Sequence, residues 1–463
     1  MGSFARDSTD IGALPLTHSP NELINRESPA QESACPVQRH YRLRCPVCAG
    51  KFEDDGVQLQ CPATHDPALL MAEYSEQRFE PDAAAEGIYR YRRWLPIRHF
   101  LKGSSRTVTY RSERLCALTE LPNLWVAFNG YWPEKGADLE TATFKEFEAY
   151  AVLSRLSEAP EGVLVVASAG NTAAAFARAC SLNRRACLII VPESGLGKMQ
   201  FVEPLDPCVK LVALVGFTDY YDAIALSDRV TRTQGFFAEG GVKNVARRDG
   251  LGTTMLNATE TIGALPDYYF QAVGSGTGGI AVNEAAKRLI ADGRYGDQLP
   301  KLMLSQNLPF IPMYLSWKSE RRELVNLNSE DAKKQIRQIA AHVLSNRQPP
   351  YAVRGGVYDT LVETKGDMLV ADNLETLHSA RLFEETEGID LDPASAVAFA
   401  TLLKVARSGQ IPSNANVLLH LTGGGWYRLG SDKKLVPAQP DLLLDESEIY
   451  TETATERVIG LFQ

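Results

Sequence analysis

No stretch of eighteen consecutive apolar residues occurs in the sequence, so no segment reads as a membrane-spanning helix. The first ten residues, MGSFARDSTD, lack the basic and apolar regions of a secretory signal. Together these absences read as a cytoplasmic protein with no membrane partner. Positive charge is also short: 48 Lys and Arg stand against 57 Asp and Glu, a net charge of −9. Phosphate-backbone binders usually present a basic stripe, so no nucleic-acid partner is expected. Cysteine is sparse. Eight spread over 463 residues do not make the disulfide framework of a small secreted domain. Cys116, Cys180, Cys187 and Cys208 lie in or beside apolar runs and are expected as buried thiols. No internal repeat of solenoid length is present.

What is present changes along the chain. Residues 1–38 are rich in Ser, Pro, Asp, Glu and Asn without an apolar period, and read as a disordered or loosely packed extension. Residues 39–89 contain a CxxC pair, Cys45 and Cys48, then Cys61 and His65 beyond a glycine turn. Four such ligands can converge tetrahedrally on a structural zinc, and the alternative is a metal-free relic of that ribbon. From about residue 120, short apolar runs alternate with helical patterns. NLWVAF (123–128), GVLVVAS (162–168), ACLIIVP (186–192), VKLVALV (209–215), DYYFQAV (267–273), KLMLSQ (301–306) and NVLLHLT (416–422) read as strands buried on both faces. Segments such as 172–182 and 280–293 fit as the helices between them. The alternation predicts an α/β fold with largely parallel sheets.

Ligands of open α/β sheets bind beyond the carboxyl ends of strands, which directs attention to three junctions. After GVLVVAS comes Ser168-Ala169-Gly170-Asn171-Thr172, opening into an Ala-rich helix. It is either a polar ligand turn or an ordinary turn with Asn or Thr as N-cap. After DYYFQAV comes Gly274-Ser275-Gly276-Thr277-Gly278-Gly279, whose backbone N–H groups could cup a phosphate. A dinucleotide is the rival there, but the glycine register and the ribose-binding acid of that motif are missing. After NVLLHLT, Thr422 is followed by Gly423, Gly424 and Gly425, which form a tight turn or admit a flat ligand.

A fourth element is Lys145. Thr143-Phe144-Lys145-Glu146 reads as a capping box, which puts the lysine in the first turn of a helix. An ammonium is disfavoured there, and more so if buried. Pyridoxal phosphate accounts for all four elements at once: a lysine for its aldehyde, a glycine-rich cup for its phosphate, Asn171 for its phenolic oxygen and Thr422 for its ring nitrogen. The alternatives are a solvated Lys145, a catalytically silent cofactor-binding protein, and a nicotinamide-dependent dehydrogenase.

The order FK, SAGN, GSGTGG and TGGG resembles the fold-type II (tryptophan synthase β-like) pyridoxal phosphate enzymes, and within them the threonine synthase family, over residues 90–435. The segments SQNLPFIPMYLSWKS (305–319), PPYAVRGGVYDTL (349–361) and LFEETEGIDLDPASAVAFATLLK (382–404) are similar to its cysteate synthase branch. The Gly-x-Thr-Pro-Leu entry usual in the family is replaced by TVTYRSERLCALTELPN, and TATFK stands for its Pro-Thr-Gly-Ser-Phe-Lys run. The resemblance implies that Lys145 is the Schiff-base lysine and proton carrier, that Asn171, Gly274 to Gly279 and Thr422 hold the cofactor, and that the protein is a homodimer. It further implies β-replacement on O-phospho-L-serine through an aminoacrylate, with sulfite giving L-cysteate and phosphate. The alternatives are threonine synthase acting on O-phosphohomoserine, or another nucleophile.

Two α/β lobes are expected around the cofactor: a large one from 90–149 with 255–440, and a small mobile one from 150–254, followed by a C-terminal segment, 441–463. Ser168, Asn307 and Glu387 are candidates for the substrate cleft. Asp392-Pro393 reads as an N-cap and N1 pair. Arg111, Arg114, Lys243, Arg247, Arg248, Lys318 and Arg354 are candidate cations for an anionic substrate.

Overall fold

A computed structural model describes residues 40–463; the expectation for residues 1–38 lies outside the described residues. Two parallel sheets carry the fold. The larger has six strands in the order Asp367–Ala371, Lys301–Asn307, Tyr268–Ala272, Val417–Leu421, Leu124–Phe128, Val108–Arg111, and only the last pairing is antiparallel. The smaller has five, all parallel: Phe236–Ala238, Val163–Ala167, Cys187–Pro192, Val209–Val215 and Leu442–Asp445. All seven apolar runs read from the sequence are strands, because helices cover both faces of each sheet and make nearly every position along a central strand a core position.

Four strands carry no such signal: Val108–Arg111, Phe236–Ala238, Asp367–Ala371 and Leu442–Asp445. These are the four sheet edges. An edge strand is only partly covered, so its residues are largely half-buried or exposed and its apolar run is short, as at 368–371 and 442–444, or missing, as in Val108–Arg111. The last of them brings the C-terminal segment onto the smaller sheet, beside Val209–Val215.

The lysine helix, Lys145–Arg155, is buried along nearly its whole length. It packs on the helix Val245–Ile262, where a Cβ at Gly250 would sit 2.5 Å from the carbonyl oxygen of Phe147 and 2.7 Å from Ala151 Cβ. Glycine at 250 is what lets the two backbones approach this closely. The predicted capping box does not form, because the N-cap position falls on Phe144, whose side chain has no group to cap with. Glu146 accepts from the backbone N–H and hydroxyl of Thr141, at 2.7 and 2.9 Å, while Thr143 Oγ1 receives only a long bond from Lys145 N–H, 3.4 Å. The chain turns back at Ala142, at a left-handed φ of 52°, which brings Thr141 to Glu146.

Residues 41–74 form a three-stranded antiparallel ribbon, in the order Lys51–Phe52, Tyr41–Arg44, Met71–Tyr74. Its Tyr41, Leu43, Leu69, Leu70 and Tyr74 share one apolar core with Val245, Met255, Tyr269 and Tyr351.

Candidate active site

The carboxyl ends of three strands open onto one cavity. Its walls include Lys145 and Phe144, the turn Ser168 to Thr172, Gly274 to Gly278, and Thr422. The four separate elements of the sequence therefore converge.

Asn171 does not cap its helix. The helix Asn171–Leu182 is entered through Gly170, at φ 147°, and Ser168 Oγ accepts from the Gly170 N–H at 3.1 Å. This leaves the Asn171 amide over, with its Oδ1 buried and without a hydrogen-bond partner. The N-cap reading of this turn therefore fails, and a buried polar atom without a partner is costly unless a ligand satisfies it.

The glycine-rich turn opens the helix Thr277–Asp292, with Gly276 as N-cap at a left-handed φ of 79°. A Cβ at Gly276 would lie 2.2 Å from Val357 Cγ2, and one at Gly278 would lie 2.3 Å from Gln271 Nε2. The loop is pressed against its own protein on that side. A sixteen-residue helix aims its first N–H groups and the positive end of its dipole at the turn, which suits a phosphate.

Thr422 ties the lysine turn to the third junction, since its carbonyl accepts from Phe144 N–H at 3.0 Å. The glycines after it serve the protein's own backbone. Cβ atoms would fall 2.9 Å from Ala142 O at Gly423, 2.7 Å from Asp390 O at Gly424, and 1.8 Å from Tyr131 O at Gly425. Ser395 clamps this turn from the opposite side, donating to Gly423 O at 2.6 Å and accepting from Gly423 N–H at 2.9 Å. Asp392 caps the helix Pro393–Arg407 as predicted.

Lys145 Nζ donates to Glu148 Oε2 at 3.0 Å. Burial pushes its pKa below the usual lysine range, opposed by Glu148 and helped by Arg247. Burial alone would raise the Glu148 carboxyl, but Arg247 and Lys145 outweigh it and hold it below the usual range. Behind the lysine, His420 is buried and neutral. Burial, and then the Lys145 charge, depress its pKa to about 3. Its Nε2 accepts from Asn129 Nδ2 at 2.6 Å, so Nδ1 carries the proton and donates to the Tyr269 hydroxyl at 2.5 Å. Tyr269 donates in turn to Gln271 Oε1 at 2.9 Å, a residue of the cavity wall.

The residues present fit pyridoxal phosphate: a desolvated lysine, an unpartnered amide, a helix N-terminus with a glycine cradle, and a threonine at a strand end. A family model described as "Pyridoxal-phosphate dependent enzyme" matches residues 137–423. The chain belongs to this family. Pyridoxal phosphate is its cofactor. A cysteate synthase of Methanosarcina barkeri is 45% identical over 422 residues, covering 89% of this chain and all of that protein. One from Methanocorpusculum labreanum is 46% identical over 394 residues, covering 85% of this chain and 94% of that one. Maize serine racemase shares the fold, with a TM-score of 0.50 at 15% identity, over 70% of this chain and 91% of its own.

In this pyridoxal phosphate enzyme two further candidates stand away from the cavity. Asn307 is spent on structure, donating to Ala371 O and accepting from Ala341 N–H, each at 3.0 Å. Glu387 accepts from Tyr110 OH at 3.0 Å and from the Ser112 hydroxyl, pinning the antiparallel edge strand. Of the seven candidate cations only Arg247 lines the cavity, and Glu239 and Glu148 already flank it. Arg248 is committed to Glu284, and Lys318 to Asp367. Sequence reasoning passed over Glu148, Gln271, Tyr220 and Asn346. Glu148 alone left a signal, an acid three residues after the lysine on a helix.

The ribbon cluster is assembled. One ligand atom from each of Cys45, Cys48, Cys61 and His65 lies within 4.8 Å of all the others, with Cys45 Sγ to His65 Nε2 at 3.2 Å and Cys48 Sγ to Cys61 Sγ at 3.6 Å. A zinc tetrahedron with ordinary bond lengths has edges of about 3.5–3.8 Å. His65 Nδ1 lies 2.7 Å from Asp66 O, which points Nε2 at the cluster. Cys116, Cys180 and Cys187 are buried as expected, and Cys208 is half-buried.

Proposed function

We propose that the enzyme converts O-phospho-L-serine and sulfite to L-cysteate and phosphate. The observation that carries this is the near full-length match to relatives named cysteate synthase, at 43–46% identity, and the lining of one cavity by Lys145, Asn171, Gly274 to Gly278 and Thr422 supports it.

When bound, pyridoxal phosphate supplies an aldehyde that takes up the substrate amine and a ring that draws electron density from Cα. Lys145, kept in a dry site where the neutral amine is accessible, takes the Cα proton at Nζ and returns it after substitution at Cβ. Between those events the Cβ–O bond breaks with its electrons leaving on phosphate, and the sulfite sulfur forms the new Cβ–S bond. Asn171 would pair with the phenolic oxygen of the cofactor, and Ser168, on the same turn, would face the substrate. Gly274 to Gly279 would hold the cofactor's phosphate, and Thr422 would offer its ring nitrogen a hydroxyl in place of a carboxylate. With a hydroxyl there the ring would be a weaker electron sink, which would favour elimination over transamination.

The same reading takes 150–254 as the lobe that closes on substrate against 90–149 with 255–440, and the enzyme as a cytoplasmic homodimer. It places a structural zinc on Cys45, Cys48, Cys61 and His65, where four protein ligands leave no open catalytic position.

The test is product analysis on the holoenzyme given O-phospho-L-serine with and without sulfite. Sulfite-dependent cysteate with equal phosphate, lost in Lys145→Ala, is the expected result. Turnover of O-phosphohomoserine in place of phosphoserine would move the assignment to threonine synthase.

A further inference from the structure

We propose that Glu148 holds Lys145 as an ammonium whenever its Nζ is not acting as a neutral amine, and so sets the pH range in which this lysine reacts. The proposal rests on Lys145 being the cofactor lysine. It does not depend on which nucleophile the enzyme uses.

Glu148 follows Lys145 by one helical turn and is 0% exposed. Its two oxygens divide their work. Oε2 accepts from Lys145 Nζ at 3.0 Å, and Oε1 accepts from Thr172 Oγ1 at 2.7 Å with Arg247 Nη2 3.3 Å away. The carboxylate is thereby anchored independently of the lysine. It ties the reactive amine to the turn that carries Ser168 and Asn171, and to the helix Val245–Ile262 that carries Arg247.

The charged and titratable groups facing Lys145 are few. Its own helix supplies Glu148. The helix Val245–Ile262 supplies Arg247, and the segment before that helix supplies Glu239, which grips Arg247 through two bonds of 2.8 and 2.7 Å. The strand Val417–Leu421 supplies His420, which is neutral, and the helix Tyr220–Val230 supplies Tyr220, whose hydroxyl burial keeps protonated. Two cations, Lys145 and Arg247, thus balance two anions, Glu148 and Glu239.

The reaction needs both charge states of Nζ. The lysine must be neutral to condense with the aldehyde and to take the Cα proton, and it must then store that proton where water is scarce. An ammonium buried alone would shed the proton at once. Facing Glu148 it keeps it. When Nζ is neutral, Glu148 still has Arg247 and Thr172, so the carboxylate persists and the pair re-forms without rearrangement. The competing role is purely structural, with Glu148 serving only to compensate Arg247.

The experiment separates these roles. Full-length protein is stripped of cofactor with hydroxylamine, and the rate at which Lys145 captures added pyridoxal phosphate is followed by absorbance from pH 6 to 10. Capture joins Nζ to the aldehyde carbon and releases water, so its rate follows the neutral fraction of the amine. Borohydride reduction and peptide mass spectrometry confirm the site, and failure of the wild type to label Lys145 would sink the cofactor-lysine reading itself. Glu148→Gln is expected to move the midpoint of the profile down by about one pH unit or more, with the high-pH plateau changed only a few-fold. Glu148→Asp keeps a charge for Arg247 while withdrawing it from Nζ, and is expected to fall between the two, which covers the case in which the glutamine variant does not fold. An unmoved or raised midpoint in either soluble variant overturns the proposal.

Discussion

Asp54 of the ribbon and Arg155 at the end of the lysine helix form a bidentate ion pair in which both side chains are fully buried, at 2.7 and 2.8 Å. Tyr41 OH adds a 2.6 Å bond to Asp54, and Arg155 also donates to Asn244 Oδ1 at 2.9 Å and Gln58 O at 2.8 Å. Asn244 caps the helix that bears Arg247. The ribbon is therefore joined through one polar network to both helices behind the reactive lysine.

Breaking that pair from one side leaves a desolvated charge. Asp54→Ala or Arg155→Met is expected to cost about 3–5 kcal/mol of unfolding free energy in a denaturant titration. The double variant Asp54→Ala with Arg155→Met is expected to lose clearly less than the sum of the single changes. Strict additivity would show that the two side chains are not coupled.

Asn171→Ala is expected to divide stability from binding. The buried Oδ1 has no partner to lose, so the cofactor-free protein should unfold within about 0.5 kcal/mol of wild type, or be slightly more stable. Affinity for pyridoxal phosphate should fall by roughly tenfold, the worth of one hydrogen bond to a charged group. Equilibrium titration of cofactor absorbance measures the second effect and thermal unfolding the first. A large stability loss with unchanged affinity would make Asn171 a structural residue.

Much of the candidate site was legible because its lining residues sit where strands end. Lys145, Asn171, Gly274 to Gly279 and Thr422 each follow or face an apolar run whose both-sided burial is written in its composition. What could not be read belongs to partial burial or to long-range contact. The edge strand Val108–Arg111 has no apolar run, and Tyr110 within it gives no sign that Glu387 lies 277 residues away. Asn307 ends a strand as a ligand residue would, yet its amide is consumed by a neighbouring strand and loop. The three glycines after Thr422 suggested room for a ligand. They admit instead the carbonyls of Ala142, Asp390 and Tyr131, segments far apart along the chain.

Zinc in the ribbon predicts a measurable content and a measurable loss. Purified protein is expected to hold one zinc per chain by elemental analysis, and Cys48→Ser or Cys61→Ser to hold little. Because the ribbon shares a core with the helix Val245–Ile262 and the strand Tyr268–Ala272, removing zinc with a strong chelator should lower the thermal midpoint as well as release metal. Full retention of the midpoint after complete removal would limit zinc to a passenger.

His420 should make its mark on acid stability. In the folded protein it stays neutral down to a pKa of about 3, whereas in the unfolded chain it takes a proton near 6.5. Below 6.5 the unfolded state therefore binds the extra proton and the native state does not. The sign follows: the contribution is complete above pH 6.5 and is lost as pH falls toward 3, by at most about 1.4 kcal/mol for each pH unit. Thermal unfolding of wild type and His420→Gln from pH 5 to 8 tests this directly. The variant should be less stable at pH 8, since the bonds to Asn129 and Tyr269 are disturbed, yet its stability should decline less between pH 6.5 and 5. Parallel curves would mean that the imidazole is charged in the fold, and that the Asn129–His420–Tyr269–Gln271 chain runs in some other sense than from Asn129 toward the cavity.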